Sequence, residues 1–120
     1  MTANPVRRLC ETETATIANG ASVSGAVNLA GRVFCGLYMP AAWTAAGLSF
    51  QGSYDGATYY DVRTETAEVT GAAAASQYIG FDPTWFLGVN FLIVRSGTSG
   101  TPVNQGAERA LILMLGQPAL

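Results

Sequence analysis

From Glu11 to Leu115 apolar and polar residues alternate with a period of two, segment after segment, and that period calls for extended backbone. In ETETATIA (11–18), Thr12, Thr14 and Thr16 stand against Glu11, Glu13, Ala15 and Ile17. SVSGAVNL (22–29) sets Val23, Val27 and Leu29 on one face and Ser22, Ser24 and Asn28 on the other. GLSFQGSY (47–54) sets Leu48, Phe50 and Tyr54 against Ser49, Gln51 and Ser53. Each reads as a half-buried strand, whereas RVFCGLYM (32–39) is apolar on both faces and reads as a central one. ATYYDVR (57–63), SQYIGFD (76–82), VNFLIVR (89–95) and RALILML (109–115) follow. About eight short strands in one chain predict an all-β fold, a jelly-roll-like β-sandwich over residues 11–120. Residues 1–10 carry Pro5 and no periodicity, and read as an extended N-terminal arm.

The connections have signatures of their own. Asp55-Gly56, with strand patterns on both sides, predicts a hairpin. Pro40–Ala46 is the one stretch with helical character: proline suits a first helical position, the alanines favour a turn, and Gly47 can end it. Residues 70–77, TGAAAASQ, read as a loop or loose helical turn. RSGTSGTPVNQGAERA (95–110) is a long polar connection between two strongly apolar segments. Connections of about a dozen residues without secondary structure are uncommon and often serve as interaction loops.

At 120 residues the chain suffices for one domain, and its 49% hydrophobic content can form a real core. Only 12% of residues are charged, all six basic residues are arginine, and lysine and histidine are absent. The missing lysine excludes a Walker-type phosphate loop and a Schiff base. The missing histidine excludes the common serine and cysteine triads and imidazole metal ligation. A net charge of −2 argues against nucleic acid as the main partner. So apolar and weakly charged a surface is expected to be covered by other subunits.

Arg7 and Arg8 are followed by no apolar run, so no secretory signal is expected, and ALILML (110–115) is too short to span a membrane. There is no glycosylation sequon. A soluble protein without cofactor or metal is expected. Cys10 and Cys35, with no CxxC pair, read as free thiols, Cys35 as a small core residue.

Three groups of side chains are candidates for chemistry. Glu11 and Glu13 lie roughly 7 Å apart along one strand face, within the range of a glycosidase pair. Their neighbours are threonines, however, and nothing apolar raises either pKa, so a solvated strand face near an edge is the better reading. Asp55, Asp61, Glu65 and Glu68 lack the tight spacing of a compact calcium loop. The aromatics suit a sandwich core, but an outward Tyr59, with Tyr60 and Val62 pointing in, would offer a sugar-stacking face. Arg95 and Arg109, at the ends of the long loop, have Glu108 and Asp82 as simple ion-pair partners.

Residues 22–115 resemble a family of small tailed-bacteriophage virion proteins. The likeness rests on Met39-Pro40-x-x-Trp43, on Phe50-x-x-Ser53-x-Asp55-Gly56, and on Arg95-Ser96-Gly97-Thr98 with Pro102 and Gln105. It implies a structural, non-enzymatic role as a capsid decoration (cement) protein or another head- or tail-associated protein. The expected partners are the major capsid protein and further copies of the chain in a homotrimer, with neither nucleic acid nor membrane bound. The expected location is the capsid surface of the virion, after synthesis in the bacterial host cytoplasm. Candidate capsid or subunit contacts are Pro5, Val6, Arg7 and Arg8 of the arm and Arg95, Thr98, Asn104, Gln105 and Arg109 of the loop. The alternative is a carbohydrate-binding or adhesion module on the virion, with Tyr59 as its glycan contact.

Overall fold

Strands pair in this chain as if one long hairpin had been doubled back and rolled up. The computed structural model describes residues 10–117. Within them run β1 (Cys10–Ile17), β2 (Val27–Asn28), β3 (Val33–Tyr38), β4 (Leu48–Ser53), β5 (Tyr60–Asp61), β6 (Thr70–Gly71), β7 (Tyr78–Gly80), β8 (Phe91–Ser96) and β9 (Arg109–Gly116). β1 pairs with β9, β2 with β8, β3 with β7 and β4 with β5, all antiparallel. The pairs β3–β9 and β4–β8 complete two sheets, of order β1-β9-β3-β7 and β2-β8-β4-β5, with β6 appended to β4. That nesting is the jelly-roll order, and the two sheets face each other as a sandwich.

Alternation makes the core, as the sequence predicts. Leu111, Leu113 and Leu115 of β9 are fully buried, and Ala15 and Ile17 of β1 point the same way. Opposite them lie Leu48 and Phe50 of β4 and Leu92 and Val94 of β8. Burying one such side chain stabilises the fold by about 1.5–3 kcal/mol. At one end Phe34, Phe50, Phe81 and Phe86 pack ring on ring, Phe34 and Phe86 edge to face with centroids 4.8 Å apart. Phe86 belongs to a 3-10 turn, Pro83–Phe86, capped by the Asp82 carboxylate, which accepts from the Thr84 backbone N–H at 3.0 Å.

Several local expectations are corrected. Residues 40–46 form no helix, because tertiary partners claim the backbone groups a helix would use. The Pro40 carbonyl accepts from the Ser76 N–H, the Thr44 N–H and carbonyl both bond Gln105, and the Ala46 carbonyl accepts from the Trp43 indole. Residues 70–77 contribute a ninth strand, β6, in place of a simple loop. Val23 faces outward and Ser24 inward, the reverse of the expected faces, because the Ser24 hydroxyl accepts from the Val94 N–H at 3.0 Å. Ser49 and Ser53 of β4 are buried as well, while Tyr54 falls beyond the strand end and is exposed. Cys10 is exposed and Cys35 half-buried, and the two are not bridged. No helix among the described residues is long and apolar enough to cross a membrane.

Candidate functional site

Three surfaces or clusters have the makings of a site: the long β8–β9 loop, the outer face of the β1-β9-β3-β7 sheet, and a groove beside β5.

The loop is held from within by two polar side chains. Arg95, at the end of β8, is 5% exposed, and its guanidinium bridges Asp61 on β5 and Glu68, each at 2.9 Å. Its Nε donates to Ser49 Oγ at 2.8 Å, and that hydroxyl donates on to the Gly97 carbonyl at 2.7 Å. Glu68 also accepts from the Ser99 N–H at 3.0 Å. Asp61 and Glu68 thus converge, but on an arginine: among the described residues no group of three or more His, Cys, Asp or Glu side chains assembles as metal ligands. Asp55 instead organises its own hairpin loop, accepting from the Ala57 and Thr58 N–H groups. These bonds, that from Ala57 foremost, hold its carboxyl below the usual range.

Gln105 is the second anchor and is 1% exposed. Its Oε1 accepts from the Thr44 N–H at 2.8 Å and from Arg109 Nε at 3.1 Å. Its Nε2 donates to the Thr44 carbonyl at 3.1 Å and to Ser96 Oγ at 2.7 Å. Both lone pairs and both protons of the amide therefore have partners, as a buried amide requires. Arg95 and Arg109 pair with neither Asp82 nor Glu108, the partners the sequence suggested; Arg109 bonds Gln105 and, through NH2, Thr44 Oγ1 at 3.2 Å. Gly97, at φ +90°, turns the chain where an added Cβ would collide with the Thr101 carbonyl.

The loop is therefore tied to the sandwich from within by Arg95 and Gln105, while Ser99, Thr101, Pro102, Asn104 and Glu108 stay exposed. Of its predicted contact residues, Arg95 and Gln105 lie inside, Thr98 and Arg109 are half-buried and Asn104 is exposed. Pro5, Val6, Arg7 and Arg8, with the rest of the arm up to Leu9, lie outside the described residues; Cys10 already belongs to β1. Tyr59, the predicted glycan contact, is half-buried with its hydroxyl 3.4 Å from the Gly56 carbonyl, whereas Tyr60 points out.

Glu11 and Glu13 lie near the sheet edge as expected, and they are paired. They share register with Leu115 and Leu113, so they start on the core side of the edge strand β1. Arg32 holds their carboxylates at 2.9 and 3.0 Å and donates Nε to the Leu29 carbonyl. An inward-leaning, charged edge strand resists edge-to-edge pairing with other sheets. The Glu13 hydrogen bond, more than the rest, raises the already high Arg32 pKa.

Among the described residues, the outer face of the same sheet carries no charged side chain. Register places Thr12, Thr14 and Thr16 beside Met114, Ile112 and Ala110, and Ile112 beside Tyr38. Tyr38 in turn stands beside Tyr78, the two rings 4.7 Å apart. Cys35 lies near this face, its thiol donating to the Met114 carbonyl at 3.3 Å, and burial pushes its pKa up.

The groove has a volume of about 300 Å³ and opens between the end of β4, β5 and the 3-10 turn. Tyr54, Tyr60 and Trp85 line it with Asp61, Arg63 and Val89. Sequence reading missed this site because its aromatics come from three separate segments. The one local signal was Asp82-Pro83-Thr84-Trp85, a capped turn that presents a tryptophan.

Compared with known proteins, the chain matches no protein-family model and no curated protein.

Proposed function

We propose that the chain is a structural virion protein, a decoration (cement) subunit that binds the assembled shell of a bacteriophage head. The observation that carries this reading is the uncharged outer face of the β1-β9-β3-β7 sheet. Three threonines, Ala110, Ile112, Met114 and the Tyr38–Tyr78 pair make a surface suited to burial against another subunit. The low share of charged residues and the jelly-roll sandwich agree with the resemblance to small phage virion proteins. The internally bonded β8–β9 loop fits a scaffold that presents fixed surfaces.

In this reading copies of the chain join through that face as a homotrimer, and the assembled subunit binds the major capsid protein. Stabilisation of the shell is mass action: a subunit that binds only the assembled lattice shifts the equilibrium toward it. Cryo-microscopy of particles that carry the protein is the test. Jelly-roll density on the outside of the head, touching the major capsid protein, is expected. Density confined to the tail, or none, overturns the assignment.

A further inference from the structure

We propose that the groove beside β5 is a carbohydrate-binding site, in which a pyranose ring lies against Trp85, Tyr54 and Tyr60 while Asp61 and Arg63 bond its hydroxyls. The proposal stands apart from the decoration role, since the groove belongs to the other sheet.

The three aromatic rings of the groove stand open. Tyr54 is 69% exposed, Tyr60 63% and Trp85 41%, and none has an aromatic partner among the described residues. The exposed Tyr38 and Tyr78, by contrast, stack on each other. Large rings left open around one groove are costly to hydrate and ready to take an apolar ligand face. The C–H face of a pyranose is such a face, and its rim of hydroxyls needs polar partners.

Those partners stand in the same groove. One Asp61 oxygen is engaged by Arg95 at 2.9 Å, which fixes the carboxylate, while the side chain stays 39% exposed. Arg63 is exposed and makes no ion pair among the described residues, so its guanidinium protons are free to donate. One acceptor and one donor of opposite charge suit a neutral, hydroxyl-rich ligand better than a phosphate or a polyanion. A purely apolar partner would strip water from the Arg63 guanidinium and from the Asp61 oxygen that Arg95 leaves open.

The groove walls are braced by their own bonds and packing. Trp85 is flanked on its 3-10 turn by the fully buried Phe86, and Asp82 caps that turn. Asn90 Nδ2 donates to the Tyr54 carbonyl at 3.1 Å, and Asp55 ties the following loop. Gly52 leaves room on the groove floor, where an added Cβ would meet Val89 at 2.9 Å. Aromatic platforms held in advance lose little entropy when a ligand arrives.

The test uses the full chain and a panel of neutral hexose and N-acetylhexosamine oligosaccharides, with uronate-bearing oligosaccharides as a second arm. Binding is read by nuclear magnetic resonance, since only two tryptophans are present. The expected result is that at least one neutral oligosaccharide shifts the Trp85 indole signal and leaves that of Trp43, which bonds the Ala46 carbonyl, in place. Trp85→Ala and Tyr60→Ala should each weaken binding by about ten-fold or more, and Tyr38→Ala on the opposite sheet should not. The wild-type indole shift remains decisive if a variant fails to fold. No binding by the neutral panel, binding by uronates alone, or binding that leaves the Trp85 signal unmoved overturns the proposal. So does a fall in oligomeric mass on Trp85→Ala, which would make the groove a contact between copies of the chain.

Discussion

Gln105 brackets the backbone of Thr44 from both sides: its Oε1 accepts the Thr44 N–H at 2.8 Å and its Nε2 donates to the Thr44 carbonyl at 3.1 Å. Sixty-one residues apart in sequence, the two fasten the β8–β9 loop to the β3–β4 connection. Truncation would leave the half-buried Thr44 backbone groups and the buried Ser96 hydroxyl without this partner. Gln105→Ala should therefore cost about 2–4 kcal/mol in urea unfolding, far more than the neighbouring exposed Asn104→Ala. Equal, small losses at both positions would contradict the bracket.

Arg95 serves two carboxylates that differ in exposure, Glu68 at 16% and Asp61 at 39%. The less exposed partner should matter more, because solvent screens the other. Glu68→Gln is expected to destabilise by about 1–2 kcal/mol and Asp61→Asn by clearly less, with Arg95→Met the most damaging of the three. Denaturant midpoints of the three variants check the order.

Acid should loosen the β4–β5 hairpin. The Ala57, Thr58 and Ser53 donors lower the Asp55 pKa in the folded state. A depressed carboxyl contributes stability that is present above its unfolded pKa and is lost as the pH falls through the folded one. Asp82, lowered by Thr84, adds to the same limb. Melting temperature followed from pH 7 into the acid range should drop below the ordinary carboxylate region. Asp55→Asn, which keeps an acceptor but does not titrate there, should flatten that drop; an unchanged acid limb would refute the assignment.

The two thiols should react in sequence. Cys10 is exposed, while Cys35 is half-buried, donates to the Met114 carbonyl and has its pKa raised by burial. Since the thiolate is the nucleophile, iodoacetamide at mildly alkaline pH should label Cys10 well before Cys35, as peptide mass mapping would show. Simultaneous labelling would mean that β3 opens from β9 and frees Cys35.

Much of this fold was legible because strand period is a local property. Leu111, Leu113 and Leu115 announce an inner face on their own, and eight of the nine strands could be read that way. What escaped depended on partners distant in the chain. Residues 40–46 carry alanines that favour helix, yet Gln105 and Ser76 take their backbone groups. β6 is two residues long and exists only because β4 is beside it. Val23 and Ser24 exchanged faces because one hydroxyl meets one N–H of β8. The aromatic groove needed Tyr54, Tyr60 and Trp85 to be brought together by the roll of the sheets, which no spacing in the sequence encodes.

The claim that the uncharged sheet face is a subunit contact is tested most directly by light scattering on the eluting protein, wild type against Ile112→Lys. Ile112 sits between Thr14 and Tyr38 in the middle of that face, and a lysine there would have to be desolvated on assembly. Such a contact predicts a wild-type mass of three chains that falls to one chain in the variant, with the melting temperature of the fold retained. A wild-type monomer at high concentration, or a variant that assembles as well as the wild type, would contradict it.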